Sequence, residues 1–216
     1  MITWNDIIYY ACYITCFIFS FHKTKNINGI LLLRILLLLG LINEFYVETM
    51  QYLGKEENFS HFLYLPAEYC ILCLFYTVYS KKKHLKYIIL LSIPVYLFLV
   101  FFIGLKFYNF KNYPSVVYNL GCILSIVWLT LILFDIELIE NISITKIPAF
   151  WILCGLLFFY SGIYFFNTAY SFLLSSDRKV ASEIRGTINL ALNIILYAFW
   201  TYAFICSAKI KNSTYL

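Results

Sequence analysis

Seven apolar runs separated by short polar breaks follow one another along the chain, at about 4–21, 28–50, 61–80, 86–105, 115–134, 149–173 and 187–208. Each run is close to the ~20 residues an α-helix needs to cross a hydrocarbon layer ~30 Å thick, so the pattern predicts seven transmembrane helices. The breaks are HKTKN, GKEENFS, SKKKHLK, KFYNFKNYP, DIELIENISITKIP and SSDRKVASEIRG, and none is long enough to hold a separate fold. The expected architecture is all-α: a polytopic seven-helix bundle forming a single transmembrane domain over residues 1–216.

Composition sharpens this picture. Hydrophobic residues make up 62% of the chain and charged ones 12%, against a charged share of ~25% in soluble domains. Seven spans take roughly 140 positions, which leaves no room among these 216 residues for a fused kinase, nuclease or ATPase domain. Walker A, GxGxxG and HExxH patterns are absent from the sequence. The formal charge of +5 comes from Lys and Arg lying mostly between the apolar runs, where they read as membrane-flanking anchors rather than a nucleic-acid surface. The lipid bilayer is the first expected partner, and nucleic acid is not expected. No Lys or Arg precedes Lys23, so the first run lacks the basic flank of a cleaved signal peptide and reads as a retained span.

Basic residues also set an expected orientation. Lys23, Lys25, Lys81, Lys82, Lys83, Lys86, Lys146, Lys209 and Lys211 fall on one side of the seven-span arrangement. Lys55, Lys106, Lys111, Arg178, Lys179 and Arg185 fall on the other. Cytoplasmic loops carry the excess of Lys and Arg, so the C-terminus is expected in the cytoplasm and the N-terminus outside.

Four ionisable side chains lie inside the predicted spans: Arg34, Glu44, Glu48 and Glu68. Placing a charge at the centre of a membrane helix costs ~2.5–3.5 kcal/mol on insertion scales, so such residues turn inward and find partners. Arg34 and Glu44 are ten positions apart on one helix, ~15 Å along its axis, and do not pair directly. Glu44 and Glu68 are expected at similar depth on neighbouring spans, where two carboxylates would share a proton. The plainer readings are hydrogen bonding of Glu44 and Glu68 to tyrosines or backbone, and interfacial positions for Arg34 and Glu48.

Polar stripes mark the inward faces of the last two spans. Tyr160, Tyr164, Asn167 and Ser171 recur at helical spacing in the sixth, and Asn189, Asn193, Tyr197 and Trp200 in the seventh. An amide in hydrocarbon needs a hydrogen-bond partner. The expectation is a polar pocket, open to the outer side, built from Glu44, Glu68, Tyr160, Tyr164, Asn167, Asn189 and Asn193; plain interhelical bonding is the alternative. Gly155 with Gly162, and Gly121 with Ser125, read as close-packing positions, and Pro66 and Pro94 as kink sites.

No catalytic, cofactor or metal set is expected. Cys70-x-x-Cys73 has the spacing of a redox or zinc pair but lies within a predicted helix, and His22, His61 and His84 are all near loops. All seven cysteines fall within apolar runs, where they read as packing residues. Ser161 beside Gly162 lacks a histidine at matching depth to act as its base. Sequons occur at Asn58, Asn141 and Asn212.

Four stretches, YVETMQYLG, FLYLPAEYCILCLFYTVY, AFWILCGLLFFYSGIYFF and NLALNIILYAFW, resemble the seven-helix membrane sensor regions of two-component histidine kinases in many Bacteroidota. The resemblance covers nearly the whole chain and rests on apolar motifs. It sets Glu68 at the family's acidic position early in span three, Phe150 and Trp151 at the aromatic entry to span six, Gly155, Tyr160, Ser161 and Gly162 in the glycine and tyrosine pattern of that span, and Asn193 at the span-seven amide. KIKNSTYL stands where the kinase region would begin, so kinase activity does not carry over. What the resemblance implies is a bacterial cytoplasmic-membrane sensor or accessory signalling protein that works through a separate histidine kinase or other partner. The competing expectation, from intramembrane carboxylates and kinked spans, is a small-solute or proton-coupled transporter.

Overall fold

The computed structural model describes residues 4–21, 24, 27–55, 58–108, 114–136, 144–176 and 178–209. The basic positions Lys23, Lys25, Lys111 and Lys211, and the sequon residues Asn141 and Asn212, lie outside them. Among the described residues the fold is all-helical, with α1 (Trp4–Phe19), α2 (Ile30–Tyr52), α3 (Asn58–Tyr79), α4 (Lys83–Ile103), α5 (Ser115–Phe134), α6 (Pro148–Ser176) and α7 (Arg178–Lys209). A π-helical turn, Gly104–Tyr108, prolongs α4, and a 3₁₀ turn, Ile144–Lys146, precedes α6.

Six helices, α2 to α7, are long and apolar enough to cross a membrane, which marks an integral membrane protein by length and composition. The seventh apolar helix, α1, has 16 residues, ~24 Å of axial rise, and falls short of a full crossing at normal incidence. Large apolar side chains such as Leu91, Phe98, Phe134 and Phe165 stand exposed on the helix surfaces. Apolar patches of that extent are tolerated where the surrounding solvent is lipid.

Helix ends reflect local chemistry. Gly54, at φ +64°, closes α2: its N–H bonds to the Gln51 carbonyl and the Lys55 N–H to the Met50 carbonyl, which is a Schellman cap on a residue free to adopt the left-handed conformation. At the end of α1, Ser20 Oγ donates to the Phe17 carbonyl and Thr24 Oγ1 to the Ser20 carbonyl, satisfying groups the helix leaves open. Pro148 opens α6, where a missing N–H costs nothing.

Several boundaries depart from the expected spans. The break SSDRKVASEIRG is largely helical, so α7 starts at Arg178 and not near 187, and α6 runs on to Ser176. Lys179, Ala181, Glu183 and Arg185 are good helix formers, and polarity alone does not interrupt a helix. Likewise Lys83, His84 and Lys86 of the basic break belong to the first turn of α4.

The chain divides into two compact units, Met1–Ile30 with Leu129–Leu216, and Leu31–Trp128. In the first, α7 packs against both α1 and α6. Tyr13 and Tyr197 meet edge to face at 4.7 Å between ring centres, joining α1 to α7. Glycines bring α6 onto α7: a methyl at Gly155 would stand 2.9 Å from Phe199 Cβ, and one at Gly162 would overlap the Leu192 side chain. In the second unit α3 and α4 lie side by side, and α5 joins them through hydrogen bonds from Trp128 to Tyr69 and from Tyr96 to Val117.

Candidate functional site

A directed hydrogen-bond chain runs through the interior of the second unit. Tyr69 on α3 is buried because its helix face, with Phe62, Leu65, Leu72, Cys73 and Tyr76, is the buried face of the helix. Trp128 Nε1, on α5, donates to the Tyr69 hydroxyl at 3.2 Å. That hydroxyl lies 2.8 Å from Ser92 Oγ on α4, and Ser92 Oγ itself donates to the Ile89 carbonyl at 2.6 Å. A serine hydroxyl has one hydrogen, so Tyr69 must be the donor to Ser92. The order is Trp128 to Tyr69 to Ser92 to Ile89, three helices bound by hydroxyls that each give and receive once. Cys73 Sγ approaches Ser92 Oγ at 3.8 Å and adds a weak donor.

Tyr96, one turn beyond Ser92 on α4, packs its ring against Tyr69 at 4.2 Å between centres and donates its hydroxyl to the Val117 carbonyl of α5 at 3.2 Å. The close approach depends on Gly121: a Cβ there would lie 2.9 Å from the Tyr96 hydroxyl oxygen. Glu68, half-buried beside Tyr69 on α3, is within electrostatic range of Tyr76 on its own helix, Tyr96 on α4 and Cys122 on α5. One carboxylate thus lies within electrostatic range of two phenols and a thiol. Such a group can hold a proton, accept hydrogen bonds or face a cationic ligand.

The other expected site residues divide between the units. Glu44 belongs to the second unit and is half-buried; Arg34 is also half-buried there, whereas Glu48 is exposed. Tyr160, Tyr164, Asn167, Asn189 and Asn193 belong to the first. Tyr160 is buried and the remaining four are half-buried. Asn193 Nδ2 donates to the Asn189 carbonyl one turn earlier at 2.9 Å, which satisfies one amide hydrogen within α7 itself. A cavity of about 410 Å³ in this unit is lined by Ala11, Cys12 and Thr15 of α1 and by α7 residues including Tyr197, Thr201 and Tyr202, with none of those five among its walls. The seven cysteines are free thiols, and among the described residues no three His, Cys, Asp or Glu side chains gather as a metal site.

Apart from Glu68, the cluster is not among the site residues expected from the sequence. Its signal is nonetheless present on α3, where Tyr69, Cys73 and Tyr76 recur at intervals of four and three, the spacing of one helix face. No protein-family model, curated protein or solved structure matches this chain.

Proposed function

We propose that this chain is a membrane sensor or accessory signalling protein of the bacterial cytoplasmic membrane, with seven spans, an external N-terminus and a cytoplasmic C-terminus, acting through a separate histidine kinase or other partner. The observation that carries this reading is Glu68, half-buried on α3 and within electrostatic range of Tyr76, of Tyr96 on α4 and of Cys122 on α5. An ionisable group inside apolar helices costs ~2.5–3.5 kcal/mol on insertion scales and is by default a functional residue. A signal that interacts differently with two arrangements of these helices shifts the balance between them, and the carboxylate is the group with most to gain or lose. The resemblance of α2, α3, α6 and α7 to Bacteroidota sensor regions supports the same reading. The short α1 serves as the seventh span with local thinning of the bilayer, an accommodation that costs fractions of a kcal/mol per Å.

The test compares wild type with Glu68→Gln in the native host, reading genome-wide transcription while membrane insertion is verified by cysteine labelling from either side. Altered transcription with normal insertion is expected. Unchanged transcription with normal insertion rejects the sensor reading. A second reading, a proton-coupled carrier, is favoured by Pro66 and Pro94 inside α3 and α4, two residues from Glu68 and from Ser92 respectively, where each leaves a backbone carbonyl without its helical donor. Proton flux into vesicles holding the purified protein distinguishes it, since a sensor produces none.

A further inference from the structure

Two exposed stripes border the cavity between α1 and α7. On α1 the stripe is Ile7, Ala11, Ile14 and Ile18, and on α7 it is Ala191, Ile195, Ala198 and Tyr202, each recurring at intervals of four, three and four. Where the first narrows to Ala11 and the second to Ala198, the surface falls back between bulkier neighbours and leaves a groove of about 410 Å³. Ala11, Thr15, Ala198 and Tyr202 stand exposed along its rim, Cys12 and Thr201 are half-buried, and the buried Tyr197 closes its floor with its ring held edge to face by Tyr13. Two of its hydroxyls are already engaged within the protein: that of Thr201 reaches the Cys16 thiol, and that of Tyr202 reaches Cys206.

Depth decides what can fill the groove. Its α7 wall lies inside the apolar segment Ile184–Ala208, and its α1 wall lies midway along the apolar helix Ile7–Phe19. A recess at that depth, flanked by exposed isoleucines, opens on hydrocarbon, where a polar ligand would lose its hydration and gain few partners. An α-helix with its side chains is ~10–12 Å across, too broad for a recess of about 410 Å³ to enclose, whereas a single acyl chain is narrower and flexible. Left empty, the recess would forfeit dispersion contacts along its walls. We propose that the groove between α1 and α7 binds one acyl chain of a membrane phospholipid, laid along Ala11, Thr15, Ala198 and Thr201. The chain takes up the space that the small residues leave and ties the 16-residue α1 to α7. This inference goes beyond the signalling role and does not depend on it, because it concerns the lipid that the helices hold and not the response of any partner.

Photocrosslinking of the full chain in lipid nanodiscs tests it, with a trace of phosphatidylcholine carrying a diazirine midway along one acyl chain and the adducts mapped by mass spectrometry. The reference is the face of α4 bearing Leu91, Val95 and Phe98, which is equally apolar and exposed. Labelling over 11–15 and 194–205 is expected to exceed that of the α4 face about threefold, the effect of a handful of added van der Waals contacts. Ala11→Leu combined with Ala198→Leu places side chains in the groove from two exposed positions and should bring its labelling down to the α4 level, with α4 unchanged. Equal labelling of the groove and the α4 face in the wild type overturns the proposal, whatever the variant does. Undiminished groove labelling in an inserted double variant overturns it as well. Cys12 lines the groove and reports on the rival occupant: a Cys12-to-Cys12 disulfide between copies oxidised in liposomes would seat a second copy there and overturn the lipid assignment, and none is expected.

Discussion

The Trp128 indole N–H donates to the Tyr69 hydroxyl at 3.2 Å across 59 positions of sequence, and Tyr69 passes its own hydrogen to Ser92. Removing either end therefore has unequal consequences. Trp128→Phe takes away one donor and leaves Tyr69 still bonded to Ser92. Tyr69→Phe strands the Trp128 N–H and deprives Ser92 of its donor at once. Tyr69→Phe should cost ~1–3 kcal/mol of unfolding free energy, and Tyr69→Phe with Trp128→Phe should show a coupling of ~0.6 to ~1.7 kcal/mol. Reversible unfolding in mixed micelles reads both single variants and the double, and strictly additive costs would contradict the Trp128–Tyr69 bond.

Gly121 makes a second, separable test of the same region. A methyl there meets the end of a stiff ring held by its bond to Val117 and by Tyr69 behind it, so Gly121→Ala should lose ~1–3 kcal/mol by overpacking. The nearest obstacle is the hydroxyl oxygen at 2.9 Å, with the adjoining ring carbon at 3.4 Å. In a Tyr96→Phe background the obstacle is gone, and Gly121→Ala should recover at least half of its cost in the same unfolding measurement.

How much of this was visible in the chain depends on the kind of signal. The apolar runs of α2 to α5 announce themselves because hydrocarbon thickness sets their length. The start of α7 does not, because a polar run of good helix formers is as helical as an apolar one and carries no apolar signal. Glu68 stands out since a carboxylate in an apolar run is costly wherever it points. Tyr69 and Trp128 pass as ordinary apolar mass until helix packing brings the Tyr69 hydroxyl to Ser92 and the Trp128 indole to Tyr69. The amides of α7 read as seekers of distant partners, yet the Asn193 side chain finds the Asn189 carbonyl one turn away.

Trp151 governs the entry to α6. Its Nε1 donates to the Thr145 carbonyl at 2.6 Å, tying the 3₁₀ turn to the helix, and its ring meets Tyr202 of α7 edge to face at 4.8 Å. Trp151→Phe keeps a ring for Tyr202 and removes the donor. Trp151→Leu removes both. Amide exchange over 144–150 should speed up in each variant, while global stability should fall by ~0.5–1.5 kcal/mol more for Leu than for Phe, the worth of an aromatic pair. Equal stability losses would mean that the ring contact contributes little.

Three glycines on α6 and α7 should respond to alanine with different signs. Gly186 has nothing within 4 Å of where a Cβ would stand, so Gly186→Ala should stabilise by ~0.5–1 kcal/mol through helix propensity alone. At Gly162 the methyl meets the outer carbons of Leu192, a side chain able to change rotamer, and the cost should be ~1 kcal/mol, the low end of overpacking. At Gly155 it meets Phe199 Cβ at 2.9 Å, an atom fixed to the α7 backbone that moves only if the helix moves. Gly155→Ala should therefore be the costliest, at ~2–3 kcal/mol. A melting series in one detergent decides the matter: if Gly162→Ala proves worse than Gly155→Ala, then side-chain rearrangement, not helix separation, limits how closely α6 and α7 approach.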